Sequence, residues 1–562
     1  MSTRPAVDWN RWRPRLLDTL QGYTRQALAA DLIAGVTVGV VALPLAMAFG
    51  IASGVTPQAG IYTAIAGGLI VSLLGGSRIQ IGGPTGAFVV IVAGIIAKHG
   101  VSGLLMVTMM AGVILLVLAI TGLGNAVKFI PRPVVLGFTN GIALLIASTQ
   151  IKDLLGLRVS PVPSEFFSRM AALGAALPTF NAVAVAIALA GLAVILLVPR
   201  LWPRLPGSIV AVVLATLAVA VFGLPVETIG SRFGGLPSGL PSISMPEFRA
   251  DLILPLLPSA VTVALLAAVE SLLSAVVADS LIGDRHNSNA ELLAQGVANV
   301  LVPMVGGIPV TGAIARTATN FRSGGRTPIA GIAHALTLTA FVLLLAPLAV
   351  HVPLAVLGAV LLVVAWNMGE WREIPSLLRL ELPDKAVWLI TFVLTVIADL
   401  TVAVEIGISL AALLYIYRVT QTTTVARVTP RYIEEGRPHI LQDKDIPEYV
   451  SILRIHGPFL FGTTEKLAEA TEDLTDFKEI VILRVRNMTA IDATGLHALE
   501  TLAVRLRKTG RQVLVCGARR QPRNMLMRGD FAQHIGLENI LPHVQAALER
   551  AKQIHAERQR AA

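Results

Sequence analysis

The chain has 562 residues, 54% of them hydrophobic and only 14% charged, with a formal net charge of +10. That much apolar surface cannot be hidden in one soluble core, so the composition excludes a simple soluble domain and places most of the chain in lipid. The surplus of Lys and Arg then marks the cytoplasmic side of a membrane rather than a nucleic-acid partner, and a lone cysteine, Cys516, excludes intrachain disulfides and any zinc or haem spacing.

Residues 1–30, with Trp9, Arg11, Trp12, Arg13 and Arg15, are too polar for a cleaved signal peptide and read as a cytoplasmic, interfacial entry to the first span. About 20 apolar residues are needed to cross about 30 Å of hydrocarbon. On that measure residues 31–418 form a transmembrane domain with fourteen spans, at 31–50, 57–75, 79–98, 102–123, 131–151, 179–199, 207–223, 252–279, 290–306, 308–322, 327–349, 353–368, 385–400 and 402–418. With the N-terminus inside, the inner loops carry Arg78, Lys128, Arg132, Arg200, Arg204, Arg285, Arg322, Arg326, Arg372, Arg379 and Lys385, about twice the outer complement. The even count returns the tail to the cytoplasm.

Spans three and ten share an interruption: GGPTGAF at Gly82–Phe88 and GGIPVTGA at Gly306–Ala313. The spans lie seven apart, an odd number, so the halves, about 31–223 and 252–418, read as inverted repeats with broken helices in matching places. In span three an extended run from Arg78 to Pro84 covers roughly 20 Å and a helix from Gly86 to Lys98 roughly 20 Å more. The break then falls near the membrane centre, where the amides of Gly86, Ala87 and Phe88 form a helix N-terminus. Symmetry brings the amides of Gly312, Ala313 and Ile314 to the same depth, and two positive helix ends make a site for an anion. The plainer reading is a kink, since Gly and Pro are common in membrane helices. If the site is real, a bulky residue at Gly86 or Gly312 blocks the amides and abolishes transport without unfolding the protein.

The stretches DLIAGVTVGVVALPLAMAFG and GGPTGAFVVIVAGI, and the segment from ESLLSAVVAD through NAELLAQGVANVLVPMVGGIPVTGAIARTATNFRSGG, resemble the sulfate permease family of anion transporters, whose animal relatives include prestin. The resemblance covers nearly the whole chain. It implies a seven-plus-seven inverted repeat divided into core and gate domains, a homodimer and a cytoplasmic regulatory module. It also implies a substrate pocket between spans one, three, eight and ten: here Leu45 and Phe49, Ala87 and Phe88, and Ala315 and Arg316. Many members have Gln at the position of Leu45 and Ser at that of Ala315. These departures leave more to the backbone amides and Arg316, and tilt the substrate towards a dicarboxylate whose carbon body tolerates apolar walls.

Charges inside spans are costly unless paired or facing water. Arg316 reads as an anion partner, or as an inner-end arginine that snorkels. Glu270, deep in VTVALLAAVESLLSAVV, has three readings: a proton carrier, a cation ligand, or an ion-pair partner that holds Arg316. Ser274 lies one turn on; in some relatives this paired position binds sodium, and in other bacterial members an acidic residue here fits proton coupling. Asp399 and Glu405 read as solvated caps of an outer turn. The histidines show no metal-ligand spacing.

After Arg418 a linker (419–440) leads to short strands alternating with amphipathic helices, a soluble α/β domain at 441–562. YVSILRI, EIVILRV and RQVLVCG read as strands, Ala493–Leu506 as a helix and His543–His555 as a closing helix. The stretch MTAIDATGLHALE resembles the central motif of STAS domains, in whose stand-alone members a hydroxyl just before the Gly is phosphorylated. Thr494 occupies that place as a regulatory candidate; the plainer reading is that Asp492 and Thr494 cap the helix.

The chain is therefore expected to be a polytopic α-helical membrane protein of the cell inner membrane, with its N-terminus and STAS domain cytoplasmic. Its expected function is secondary active transport of small anions of the dicarboxylate, sulfate or bicarbonate class, by proton-coupled symport with elevator-like alternating access. No enzyme activity, cofactor or metal is expected; the partners are the anion, a proton, the bilayer, a second copy of the chain and a cytoplasmic protein for the STAS domain. The alternatives are a sodium-coupled symporter, an anion channel, exchanger or voltage-responsive motor, and a membrane sensor signalling through the STAS domain.

Overall fold

The structure is a computed structural model that describes residues 9–122, 131–159, 162–163, 165–202, 205–236, 239–247, 249–398, 400–428 and 446–561. Lys128, Arg204, Asp399 and most of the linker lie outside them. Two compact units divide the chain, Met1–Ser409 and Leu410–Ala562.

Among the described residues of the first unit, eight helical segments are long and apolar enough to cross a membrane. They include α1 (Arg25–Ala52), α2 (Pro57–Leu74), α3 (Gly86–Thr121) and α4 (Arg132–Leu155). Thr24 starts α1 by accepting the Ala27 amide at 3.2 Å. α3 is 36 residues long because a half-span and a full span run together; Gly100, at φ 68°, marks the junction. Next come α5 (Ala182–Leu201), the shorter α6 (Gly207–Phe222), α7 (Ile253–Ile282) and α8 (Ser288–Leu301). The nine-residue α9 (Ile314–Arg322) is followed by α10 (Pro328–Leu345), α11 (Leu354–Met368), α12 (Leu382–Ile397) and α13 (Leu400–Gln421).

Both predicted breaks are present, and they meet. Gly82–Gly83 (β1) and Thr311–Gly312 (β2) pair antiparallel, Gly82 opposite Gly312 and Gly83 opposite Thr311. Backbone polar groups that leave a helix inside a bilayer must find partners within the protein, and the two interruptions supply them to each other.

The second unit contains a five-stranded sheet in chain order: β3 (Thr424–Val428), β4 (Val450–Phe459), β5 (Ile480–Ile491), β6 (Gln512–Cys516) and β7 (Ile540–Leu541). β3 joins β4 antiparallel; the remaining pairs are parallel. The period of two in EIVILRV sends Val481, Leu483 and Val485 to one face, packed with Leu499, Leu502 and Leu506 of α14 (Ala493–Lys508). Ile480 and Ile482 face Leu548 and Ala551 of α15 (Val544–Ala561). The sequence reading found β4, β5, β6, α14 and α15, but not β3, the two-residue β7 or the shorter helices at Thr464–Ala470, Arg520–Arg528 and Phe531–Ile535.

Cys516 lies at the end of β6, buried, and burial pushes its thiol up to about 12. The reactive thiolate is then almost absent at neutral pH and appears only as pH approaches that value. Thiol reagent at pH 8 is expected to leave the native protein unmodified and to titrate one thiol after denaturation; rapid reaction of the native protein would contradict this burial.

Candidate functional site

Two helix N-termini meet at the β1–β2 bridge, and neither is capped by a side chain. Thr85, extended at φ −129°, is the N-cap of α3, but its Oγ1 donates to Glu270 Oε2 at 2.9 Å instead of accepting from the first turn. The Phe88 amide reaches only the Thr85 carbonyl, at 3.3 Å; Gly86 and Ala87 have no protein acceptor among the described residues. On α9 the N-cap is Ala313, which has no capping group. A helix end left without such partners is open to a ligand or water that completes it.

The second helix starts two residues later than the sequence repeat implies, which corrects the set of donors. Gly312 belongs to β2, and the Ala313 amide donates to the Ile81 carbonyl at 2.9 Å. The first helical bond of α9 runs from Thr317 N to Ala313 O, so the open amides belong to Ile314, Ala315 and Arg316. Thr85 and Thr311 align in the motif yet do different work: Thr311 donates to the Ala267 carbonyl at 3.0 Å.

Arg316 is 4% exposed and donates to the carbonyls of Gly82, at 3.5 Å, and Pro84. The guanidinium of one broken segment thereby holds the carbonyls of the other. Gly83 makes room for it: a Cβ there would lie 2.5 Å from Arg316 Nη1, at a φ of 143° that side chains rarely adopt. Glu270 is partly exposed. It bonds Thr85 and forms no direct ion pair with Arg316, so the reading of Glu270 as the clamp on Arg316 is not met; backbone carbonyls take that part.

The other predicted residues divide into two groups. Ala87 and Phe88, in the first turn of α3, and Phe49, near the end of α1, are buried, and a Cβ at Gly86 would meet Phe49 Cε1, Ile146 Cδ1 and Met368 Sδ, each at 3.4 Å. Ile314, 38% exposed, Ala315, exposed, and Leu45, partly exposed, present the accessible apolar surface. Ser274 is fully buried and bonds Thr317 Oγ1 at 3.2 Å rather than sharing a partner with Glu270. In the second unit Asp492 alone caps α14, accepting the Gly495 amide at 2.8 Å, while Thr494 is exposed and takes no part.

The sequence reading missed a polar stripe on α8: Glu291, Gln295 and Asn299, spaced by four and all fully buried. Asn299 clamps Val310 on both sides, Nδ2 to the carbonyl and the amide to Oδ1, each at 2.9 Å. Gln295 donates to Glu291 at 3.0 Å. A run of polar residues at i, i+4, i+8 in a predicted span is the signal that marks such a stripe.

Residues 28–391 match the sulfate permease family and residues 442–547 the STAS domain. The chain is 40% identical to YvdB of Bacillus subtilis, a protein named for sulfate transport, over 531 residues, 94% of this chain and 99% of that one. It is 31% identical to the bicarbonate transporter BicA of Synechocystis sp. over 522 residues, 89% of this chain and 90% of that one. The fold is similar to that of the murine anion transporter Slc26a9 in its inward-facing state, with a TM-score of 0.85 at 18% identity, covering 98% and 96% of the two chains. The transmembrane domain of a cyanobacterial BicA superposes with a TM-score of 0.62 at 32% identity over 69% of this chain and 98% of that one.

Proposed function

This protein is a member of the sulfate permease family, and we propose that it is a secondary active symporter of small anions, coupled to protons, whose core carries the site elevator-like against a gate. The observation that carries this reading is the pair of uncapped helix N-termini joined at β1–β2. Each end is equivalent to about half a positive charge, and among the described residues the open amides of Gly86, Ala87, Ile314, Ala315 and Arg316 are donors without a protein acceptor.

Relatives are named for sulfate and for bicarbonate. The accessible apolar surface of Leu45, Ile314 and Ala315 favours a dicarboxylate, with one carboxylate at the amides and the carbon body against these side chains. Proton coupling is assigned to Glu270, partly exposed and tied through Thr85 to the cap of α3, so that its protonation bears directly on the helix that binds the anion. The commitment of Ser274 to Thr317 favours the proton over sodium at this position. The pairing of two breaks seven spans apart supports the inverted repeat. The homodimer, the domain boundaries at 30, 418 and 440, and phosphorylation of Thr494 belong to the same proposal; exposure on the first turn of α14 makes Thr494 reachable.

Purified protein in liposomes, tested for uptake of a labelled dicarboxylate against unlabelled sulfate, bicarbonate, chloride and dicarboxylates, decides the substrate. The expected result is strongest competition by a dicarboxylate. Competition by sulfate or bicarbonate alone would overturn the dicarboxylate assignment.

A further inference from the structure

The transport site is assembled from three pieces that are remote in sequence: the extended run that ends in β1, the run that ends in β2, and the part of α7 that bears Glu270. One side chain on none of them touches or reaches all three. Glu291 of α8, fully buried, accepts the amides of Gly76 at 3.0 Å and Ser77 at 3.3 Å, at the head of the first run. It accepts Ser271 Oγ at 3.1 Å, from the residue next to Glu270. It accepts Gln80 Nε2 at 2.8 Å, and that same nitrogen sits where a Cβ on Gly312 would be, 1.9 Å from it. With Gln295, five donors converge on one carboxylate.

We propose that Glu291 is the positioning residue of the anion site, an ionised carboxylate that fixes the register of both broken segments and of Glu270. The inference rests on the transport reading given above for what the site does, but not for how the site is built. A carboxylate suits the place because it is acceptor-only: two oxygens with about four lone-pair sites receive backbone amides, a hydroxyl and two carboxamides, and charge-assisted bonds of this kind are about twice as strong as neutral ones. A neutral carboxamide at position 291 has one acceptor oxygen, and its NH2 would face the donors of Gln80 and Gln295. Among the described residues no lysine or arginine pairs with Glu291, so its charge is held by donors that are themselves the parts being positioned. The arrangement resembles the outer-shell contacts that orient the groups of a binding site from behind.

A role confined to overall stability predicts a uniform loss, whereas positioning predicts a local and correlated one. Hydrogen exchange of the purified full-length protein, which needs no substrate, is therefore measured for wild type and Glu291→Gln. The expected result is faster exchange, together, in the peptides covering residues 76–88 and 308–318, with the remaining spans unchanged. In liposomes the same variant is expected to raise the KM for the transported anion by about tenfold, with a smaller effect on kcat. The double variant Glu291→Gln with Gln80→Glu returns a carboxylate to the same cluster: the carboxamide oxygen introduced on α8 accepts the Gly76 and Ser77 amides, its NH2 donates to the carboxylate introduced on the extended run, and Gln295 turns its carboxamide so that its otherwise unpaired Oε1 accepts the second N–H. Protection of both peptides is expected to recover. Ser271→Ala, which removes one donor with little change of volume, serves if Glu291→Gln does not fold, and is expected to raise KM about threefold. Exchange that rises evenly over all spans, or rises in α8 alone, overturns the proposal; so does a swap that folds without restoring protection. Loss of uptake in wild type contradicts the transport reading and leaves the exchange result to decide this one.

Discussion

Glu270→Gln is expected to keep anion exchange and lose accumulation driven by an inward proton gradient. The carboxylate accepts Thr85 Oγ1 at 2.9 Å, and Thr85 is the N-cap of the helix whose amides face the anion. If anion and proton load together, Glu270 is neutral in the loaded carrier, and a neutral group crosses the apolar barrier at far lower cost than an unpaired charge. Gln reproduces the neutral form permanently. Its amide oxygen still accepts from Thr85, so the cap geometry survives and exchange at equal pH persists. Accumulation in liposomes with an acidic exterior, compared with counterflow at equal pH, is the measurement. Undiminished proton-driven accumulation by the Gln variant would remove Glu270 from the coupling mechanism.

The two glycines at the breaks are expected to respond very differently to the same added methyl group. At Gly312 a Cβ would lie 1.9 Å from Gln80 Nε2 and 2.6 Å from its Cδ. Gln80 cannot swing aside cheaply, because that nitrogen is bonded to Glu291 at 2.8 Å and Ser271 at 3.0 Å. Gly312→Ala is therefore expected to destabilise the protein by about 2–4 kcal/mol through overpacking and broken buried hydrogen bonds, with loss of transport following from misassembly. This revises the sequence-based expectation that bulk at Gly312 blocks transport in an otherwise intact protein. At Gly86 the same methyl meets Phe49, Ile146 and Met368 at 3.4 Å, close to ordinary contact. Gly86→Ala is expected to change stability by less than about 1 kcal/mol and to act on transport, where the larger Gly86→Leu blocks movement of α3 past Ile146 and Met368. Thermal unfolding of the purified variants separates the two cases; equal melting temperatures for Gly312→Ala and wild type would contradict the packing argument.

The membrane-spanning pattern and the two breaks were legible because each rests on a local signal: apolar runs of span length, and Gly and Pro where a helix should be continuous. The register of the second break was not. Gly306–Ala313 repeats the order of Gly82–Phe88, but two added residues, Ile308 and Val310, and the β2 pairing consume Gly312 and the Ala313 amide before α9 begins. Such a shift depends on a contact between segments more than two hundred residues apart, as Gly82 is from Gly312. Arg316 was found from its charge, but its partners are carbonyls of Gly82 and Pro84, which carry no sequence signal. Glu291 carries no signal as a single acidic residue near the end of a predicted span; only its place in the stripe with Gln295 and Asn299 distinguishes it. In the second unit the apolar run in EIVILRV marks the strand but not its faces, because Ile480 to Leu483 are all apolar and both faces are covered; β7, two residues long, is too short to carry any signal.

The central claim is that the paired helix N-termini bind an anion that the protein moves against its gradient. Wild-type protein in liposomes, given a labelled anion under an inward proton gradient with membrane current recorded in parallel, tests it most directly. Saturable accumulation above the equilibrium level, abolished by Gly86→Leu in folded protein, is the predicted result. Conductance without accumulation would make the protein a channel, and neither uptake nor current for any of the dicarboxylates, sulfate, bicarbonate or chloride would contradict the account.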